Sequence, residues 1–124
     1  RILELASLVK SDDFEKLNTE IWVRSVFLQG VLLDESSKNP FMNHQDIVNF
    51  FSFCKRVNIS PIEMCLAYIR QLGFIDGVLI GIENAIQLDE IARAFRVEIP
   101  QINFKELESK DIQLIDPRKW NLNK

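Results

Sequence analysis

Few side chains in this sequence are of types that perform chemistry by themselves. Its single histidine, His44, has no second histidine and no cluster of carboxylates at ligand spacing, so the sequence predicts no metal site. Its single tyrosine, Tyr68, falls within a helical pattern. Two acidic pairs, Asp12-Asp13 and Asp34-Glu35, are of the kind that glycosidases need, but we interpret them as solvated loop charges.

Composition and charge narrow the class of protein. Cys54 and Cys65 both lie in apolar helical patterns, where a thiol acts as a small hydrophobic group, so we expect free thiols and a cytoplasmic protein. No apolar run approaches the roughly 20 residues of a membrane span. The formal net charge of -3 is spread over interspersed signs and forms no basic stripe. We therefore expect neither nucleic acid nor a membrane as a partner.

Two short runs have the composition of strands that are buried on both faces. They cover residues 21–26 and 76–81, are rich in apolar and β-branched residues, and lack a period of 3.6. Helical patterns lie before, between and after them. This order predicts an α/β fold in which two parallel strands are joined by a helical crossover.

Four helical patterns surround these runs. The first covers residues 2–17, and the second is predicted to be capped by Asn43. The third has the strongest local signal, since Ser60 is followed by proline and, three residues on, by glutamate, and Gly73 ends the pattern. The fourth opens at Asn84. The predicted inner faces are Ile47, Phe50, Phe51 and Cys54, then Ile62, Cys65, Leu66, Ile69 and Leu72, and finally Leu88, Ile91, Ala92 and Phe95.

The two ends of the chain differ from its middle. A helical pattern starts directly at Arg1, without a methionine or a preceding cap, so we expect a segment of a longer protein. Beyond Pro100 the periodicity weakens. We interpret residues 101–124 as a surface wrap rather than a core element, and residues 1–100 as one unit.

Three sequence blocks resemble the aldo/keto reductase family. Residues 23–32, Val-Arg-Ser-Val-Phe-Leu-Gln-Gly-Val-Leu, resemble its seventh-strand segment, for which a common form is Ala-Tyr-Ser-Pro-Leu-Gly-Arg-Gly-Leu-Leu. Residues 60–69 resemble Ser-Pro-Ala-Gln-Leu-Ala-Leu-Ala-Trp, and residues 78–88 resemble Val-Ile-Pro-Gly-Ala-Arg-Asn-Val-Glu-Gln-Leu. The resemblance implies the C-terminal part of a TIM (β/α)8 barrel, about two parallel strands with flanking helices, with residues 1–100 as the last two βα units.

The same resemblance implies an activity for the intact protein. In the family, a nicotinamide dinucleotide, NAD or NADP in its reduced form, gives hydride to a small carbonyl substrate. A tyrosine tuned by lysine, aspartate and histidine donates the proton. Those residues come from the first half of the barrel, and neither Tyr68 nor His44 is expected at a strand end, so the catalytic set is predicted to lie outside this chain. Similarity to bacterial sugar and polysaccharide enzymes, carried also by Asp-Pro-Arg-Lys-Trp at residues 116–120, implies a sugar-linked carbonyl.

What the resemblance leaves to this chain is the binding of the cofactor. It places Ser25, Phe27 and Gln29 beside the pyrophosphate, where hydroxyl and backbone donors suit an anion, and Gly30 would permit the turn. Arg24 stands where many members stack a tyrosine on the nicotinamide ring. A planar guanidinium can also stack, but it changes the local charge.

The second implied group of contacts meets the adenosine end of the cofactor. It consists of Gly81, Glu83, Asn84 and Gln87, at the loop and helix start that follow the last strand. Members that prefer NADP usually have arginine where Glu83 stands. A carboxylate there would repel a 2′-phosphate and accept hydrogen bonds from a bare ribose, so that the intact enzyme either favours NAD or holds the adenosine end weakly.

Two alternatives remain open from the sequence. Because Arg24 and Glu83 depart from the common pattern, the protein could be a non-catalytic interaction or regulatory module of the same family, and the Asp, Tyr, Lys and His set upstream of this chain would decide between the two. Taken singly, Arg24, Ser25 and Gln87 also fit a surface ion pair, a turn hydroxyl and half of a helix cap.

We also expect this chain to self-associate when it is isolated. Two strands of an eight-stranded barrel leave free edges. Four strand residues would then have partners on one side only: Ile21, Val23, Val78 and Ile80.

Overall fold

The computed structural model describes residues 18–121, so the helix predicted over residues 2–17 lies outside the described residues. The elements are β1 (Trp22–Arg24), α1 (Gln45–Val57), α2 (Pro61–Leu72), β2 (Gly77–Leu79), α3 (Ala85–Arg96) and α4 (Ile112–Ile115). Two 3-10 turns, Phe104–Leu107 and Pro117–Lys119, flank α4.

The two strands form a parallel pair, as the order of elements predicts. Trp22 faces Gly77 and Arg24 faces Leu79 across the pair. Both strands are shorter than the predicted runs, and the reason is local for β1: Ser25 has φ 59°, a left-handed conformation that ends the extended backbone.

The two faces of this sheet are covered unequally. Val78 and Ile80 line a cavity of about 380 Å³ in front of α3, so this face is turned towards helices. The strand residues that remain most open are Trp22 and Leu79, which are 56% and 58% exposed. The four residues expected to have partners on one side only are all half-buried: Ile21, Val23, Val78 and Ile80.

Helix α1 begins one residue later than predicted. Its N-cap is His44 rather than Asn43, because His44 Nδ1 accepts a hydrogen bond from the amide of Asp46 at 3.2 Å. An imidazole nitrogen is here the N-cap acceptor, where the prediction had an asparagine oxygen. The predicted inner face is buried throughout: Ile47, Phe50, Phe51 and Cys54.

Helix α2 follows its local sequence signals closely. Ser60 Oγ accepts from the amide of Glu63 at 3.3 Å, and Glu63 Oε2 accepts from the amide of Ser60 at 2.8 Å. Gly73 ends the helix with φ 72°. The capping box and the glycine stop are therefore confirmed. The helix supplies much of the core, with five buried side chains: Met64, Cys65, Leu66, Ala67 and Ile69.

Helix α3 starts at the predicted cap but packs more loosely than predicted. Asn84 is its N-cap, and Ala94 is its one buried residue. Leu88 and Phe95 do line the cavity in front of β2, yet both are exposed. Two short strands cover too little of the helix to enclose a full apolar stripe. The predicted residues of α3 thus face the sheet as expected, but they are less buried than predicted.

The C-terminal segment contributes to the core, contrary to its interpretation as a surface wrap. Ile102 and Leu114 are buried in the same cluster as α1 and α2. Trp120 packs on Phe41, with ring centroids 4.7 Å apart, and its Nε1 donates to the carbonyl of Leu114 at 2.9 Å. Short turns of different types carry these contacts, so no single period marks them in the sequence.

Both cysteines are free and lie in this core, as predicted. Burial raises the pKa of Cys54 to about 11 and that of Cys65 to about 12, so both thiols stay protonated near neutral pH. Among residues 18–121, no helix has the length and apolar character needed to cross a membrane.

Candidate functional site

The carboxyl ends of β1 and β2 lie side by side. Arg24 and Leu79 form the last rung of the pair, so the loop that starts at Ser25 and the loop that leads to Gly81 leave the sheet at the same edge. Ligand and active sites in parallel α/β proteins are built at this edge. The structure thus brings together the starts of the two segments that the sequence marks as cofactor loops.

Arg24 and Ser25 are exposed at this edge. Within the described residues the Arg24 guanidinium and the Ser25 hydroxyl make no hydrogen bond or ion pair, and Ser25 takes part in the following turn only through its carbonyl, which accepts from Leu28 at 2.9 Å. Among residues 18–121, Arg24 therefore forms no surface ion pair and the Ser25 hydroxyl does not bond within a turn. Both groups are available to a ligand.

The loop after β1 has an unusual backbone. Three of its residues other than glycine have positive φ angles: 59° at Ser25, 49° at Leu28 and 55° at Gln29. Such a conformation costs roughly 1–2 kcal/mol for a residue with a side chain. Gly30 follows with φ 86° and no such cost. The common family form has glycine where Leu28 stands, which agrees with the left-handed backbone at this position.

The side chains of this loop differ in burial and therefore in role. Phe27 and Leu28 are half-buried and pack against the hydrophobic core. Gln29 is exposed, and its side chain has no hydrogen-bond partner in the described part of the chain. Of the predicted pyrophosphate contacts, Ser25 and Gln29 present free polar side chains, whereas Phe27 anchors the loop.

The second loop combines a free carboxylate with a helix cap. Gly81 and Glu83 are exposed, and the Glu83 carboxylate pairs with no described residue. Asn84 Oδ1 accepts from the amide of Gln87 at 2.9 Å, and Gln87 Oε1 accepts from the amide of Glu83 at 2.8 Å. Cap roles are thus observed for Asn84 and Gln87. Their side-chain NH₂ groups stay free as donors.

One residue near the strands is not indicated by the sequence patterns. Asp76, directly before β2, accepts the amide of Ile21 on its Oδ2 at 2.7 Å. The signal in the sequence is a lone carboxylate at the start of an otherwise apolar run, which patterns of hydrophobicity pass over.

Neither Tyr68 nor His44 is placed for catalysis at the strand ends. Tyr68 lies in α2 with its ring 5.1 Å from that of Phe104, and burial raises its pKa. His44 uses both ring nitrogens, Nδ1 in the cap of α1 and Nε2 towards Asp111 Oδ2 at 3.0 Å. Across residues 18–121, no group of three His, Cys, Asp or Glu side chains could hold a metal ion.

A large cavity lies beside this edge rather than in it. It measures about 830 Å³, lies between the first loop, α1, α2 and the C-terminal segment, and is lined mainly by apolar side chains. Ser25 is the only predicted cofactor residue on its wall. The other seven predicted contacts do not line this cavity.

Parallel strands joined by helices, with free polar groups at their carboxyl ends, define an α/β protein of the barrel or open-sheet type. A family model, "Aldo/keto reductase family", matches residues 12–112, and the chain belongs to that family. No curated protein and no solved structure gives a match. Membership implies a TIM barrel, of which the described residues form a part with two strands, and an oxidoreductase family that generally uses NAD(P)H.

Proposed function

We propose that the intact protein reduces a carbonyl substrate with a nicotinamide dinucleotide, and that this chain supplies the loops that hold the dinucleotide. The observation that carries the proposal is the shared edge of β1 and β2, where the last rung joins Arg24 to Leu79. Both segments that resemble the family's cofactor loops leave from that edge. The catalytic set is assigned to the part of the barrel outside this chain.

The free polar groups at this edge fit a dinucleotide. The Ser25 hydroxyl and the Gln29 amide can donate to the pyrophosphate oxygens, and the exposed Arg24 guanidinium adds a positive charge and a flat surface for the nicotinamide ring. The free NH₂ groups of Asn84 and Gln87 can donate to the adenosine ribose. When bound, the dinucleotide supplies the hydride.

We further propose that NAD is favoured over NADP. The Glu83 carboxylate is exposed, has no cationic neighbour among the described residues, and precedes the N-cap of α3. It would repel a 2′-phosphate and accept hydrogen bonds from the hydroxyls of an unphosphorylated ribose. The substrate is proposed to be a sugar-linked carbonyl, on the sequence similarity of residues 23–30 and 116–120 alone.

Cofactor titration of the full-length protein tests this proposal. Fluorescence quenching should show saturable binding of NADH, with weaker binding of NADPH. Replacing Ser25 by Ala should weaken both, by about tenfold for one lost hydrogen bond to a charged group. Replacing Ser52 by Ala, on the exposed face of α1, is the matched control and should leave both affinities unchanged. Absence of binding by either dinucleotide would contradict the proposal.

The alternative of a non-catalytic module rests on Arg24 and Glu83, which are both exposed and both depart from the common family pattern. It predicts that dinucleotide binding occurs without turnover, or not at all. Assaying the full-length protein with NADH and a panel of aldehydes and ketones separates the two, because measurable oxidation of NADH excludes the module.

A further inference from the structure

At the amino-terminal end of the parallel pair, one side chain joins the two strands. Asp76 precedes β2, and its Oδ2 accepts the amide of Ile21, the residue before β1, at 2.7 Å. Its own amide donates to the carbonyl of Ile21 at 2.9 Å. Asp76 therefore holds both backbone groups of Ile21, 55 residues away along the chain. An amide bound by a carboxylate makes a charge-assisted and shorter hydrogen bond than one in a regular ladder.

The adjacent rung also disfavours a shifted alignment of the strands. Trp22 lies opposite Gly77, and its indole occupies the space that a Cβ at Gly77 would take. The indole is oriented by a hydrogen bond from its Nε1 to Glu20 Oε2 at 2.9 Å. A slip by one residue would place Asp76 or Val78 opposite the indole, where a side chain would clash. It would also exchange the two faces of the moving strand.

The strand register at this end determines the position of the two loops relative to each other at the carboxyl end. The pair contains only three residues on each strand, so little else aligns Arg24 with Leu79. One residue along a strand corresponds to about 3.3 Å. A displacement of that size between the first loop, which begins at Ser25, and the second, which contains Gly81, exceeds the tolerance of a hydrogen bond. The two loops could then no longer hold one ligand at both of its ends.

We propose that Asp76 is a positioning residue for the dinucleotide site, which holds the two cofactor loops at matching levels by fixing Ile21 at the opposite end of the strands. This inference rests on the proposed function. The proposed role predicts different effects on two kinds of ligand, which a general loss of stability would not produce. A ligand that touches only the second loop needs no alignment, whereas the whole dinucleotide does.

The test compares NADH with AMP, which presents only the adenosine end, on the full-length protein. Replacing Asp76 by Ala should raise the dissociation constant for NADH about tenfold, as expected for one charge-assisted hydrogen bond, and leave that for AMP unchanged. Asp76→Asn keeps an oxygen acceptor and should restore most of the NADH affinity. Asp89→Ala, which removes an exposed carboxylate that pairs with Arg93 on α3, is the control and should change neither. Hydrogen exchange at the Ile21 amide should be faster in Asp76→Ala alone.

Each other result contradicts a definite statement. NADH binding by Asp76→Ala at the wild-type level, or an equal loss of NADH and AMP affinity, overturns the positioning role while the proposed function stands. Unchanged exchange at Ile21 also overturns it. A wild-type protein that binds NADH but not AMP contradicts the division of the ligand between the two loops. A wild-type protein that binds neither contradicts the proposed function itself.

Discussion

Glu83 is the residue on which the choice of cofactor depends. Its carboxylate has no ion-pair partner among residues 18–121, so no cationic side chain described there is paired with it. Replacing Glu83 by Arg should reverse the preference, raising NADPH affinity about tenfold or more because a repulsion on the order of 1 kcal/mol becomes an attraction. The NADH and NADPH titrations of the full-length protein provide the measurement.

The matched control for this change is Glu90→Arg, which alters the charge equally on the exposed surface of α3. A similar rise in NADPH affinity in this variant would mean that net charge, and not the position of Glu83, determines the preference. An unchanged preference in Glu83→Arg would show that the second loop does not meet the ribose.

Gln29 offers a test of whether strain in the first loop serves binding. Its φ of 55° disfavours a side chain, so Gln29→Gly should stabilise the folded protein by about 1 kcal/mol in chemical denaturation. If the Gln29 amide contacts the pyrophosphate, the same variant should bind NADH several-fold more weakly. A gain in stability without a change in affinity would remove Gln29 from the site.

Asn58 provides the comparison for Gln29. It has the same φ of 55°, but it is the C-cap of α1 and is not one of the predicted cofactor contacts. Asn58→Gly should raise stability by less, because asparagine tolerates this conformation better than glutamine, and should leave NADH affinity unchanged.

At the scale of elements, the C-terminal segment is the main departure from the sequence-based expectation. Leu114 is 2% exposed in the core cluster, whereas Ile112, in the same short helix α4, is 54% exposed. Leu114→Ala should therefore lower the free energy of unfolding by about 2–5 kcal/mol, and Ile112→Ala by less than about 1 kcal/mol. Chemical denaturation of both variants measures the difference. Equal, small effects would restore the interpretation of this segment as a surface wrap.

Helix ends show which elements could be predicted and why. The capping box of Ser60 and Glu63 and the stop at Gly73 depend on residues three or four apart, and both were predictable. The cap of α1 is His44 rather than Asn43 because its Nδ1 accepts from the amide of Asp46, and its Nε2 also contacts Asp111, 67 residues along the chain. A contact of that separation leaves no local pattern.

At the scale of the whole molecule, the two-stranded sheet formed by the described residues is open on one face and at its edges. Trp22 and Leu79 are more than half exposed, and the described residues pair no third strand with β1 or β2. We expect residues 1–124 on their own to self-associate through this surface and to show no turnover, because two strands cannot complete a layer of a barrel. Size-exclusion chromatography with light scattering and a hydride-transfer assay test both parts.

A stable monomer of 14.5 kDa would contradict this expectation, as would oxidation of NADH by the isolated chain. Trp22→Ser together with Leu79→Ser is a useful companion variant, since it removes the largest exposed apolar groups of the sheet. If the association uses this face, the double variant should shift towards the monomer.

The sequence by itself determined the features that depend on near neighbours. The parallel order of strands and helices, the starts of α2 and α3, the free buried cysteines and the family resemblance all follow from short spacings and residue types. The helix starts and the buried cysteines depend on contacts within a few residues or on a periodic apolar face. Such contacts leave a readable pattern.

Tertiary structure alone decided the features that depend on distant partners. Asp76 bound to Ile21, Leu114 buried in one cluster with α1 and α2, and the open Trp22 beside Gly77 each join residues more than 40 positions apart. Their energies depend on which surfaces the fold brings together, and a single sequence lists residues without that information. The relative position of the two proposed cofactor loops belongs to this second group, because strand register is a property of the pair and not of either strand.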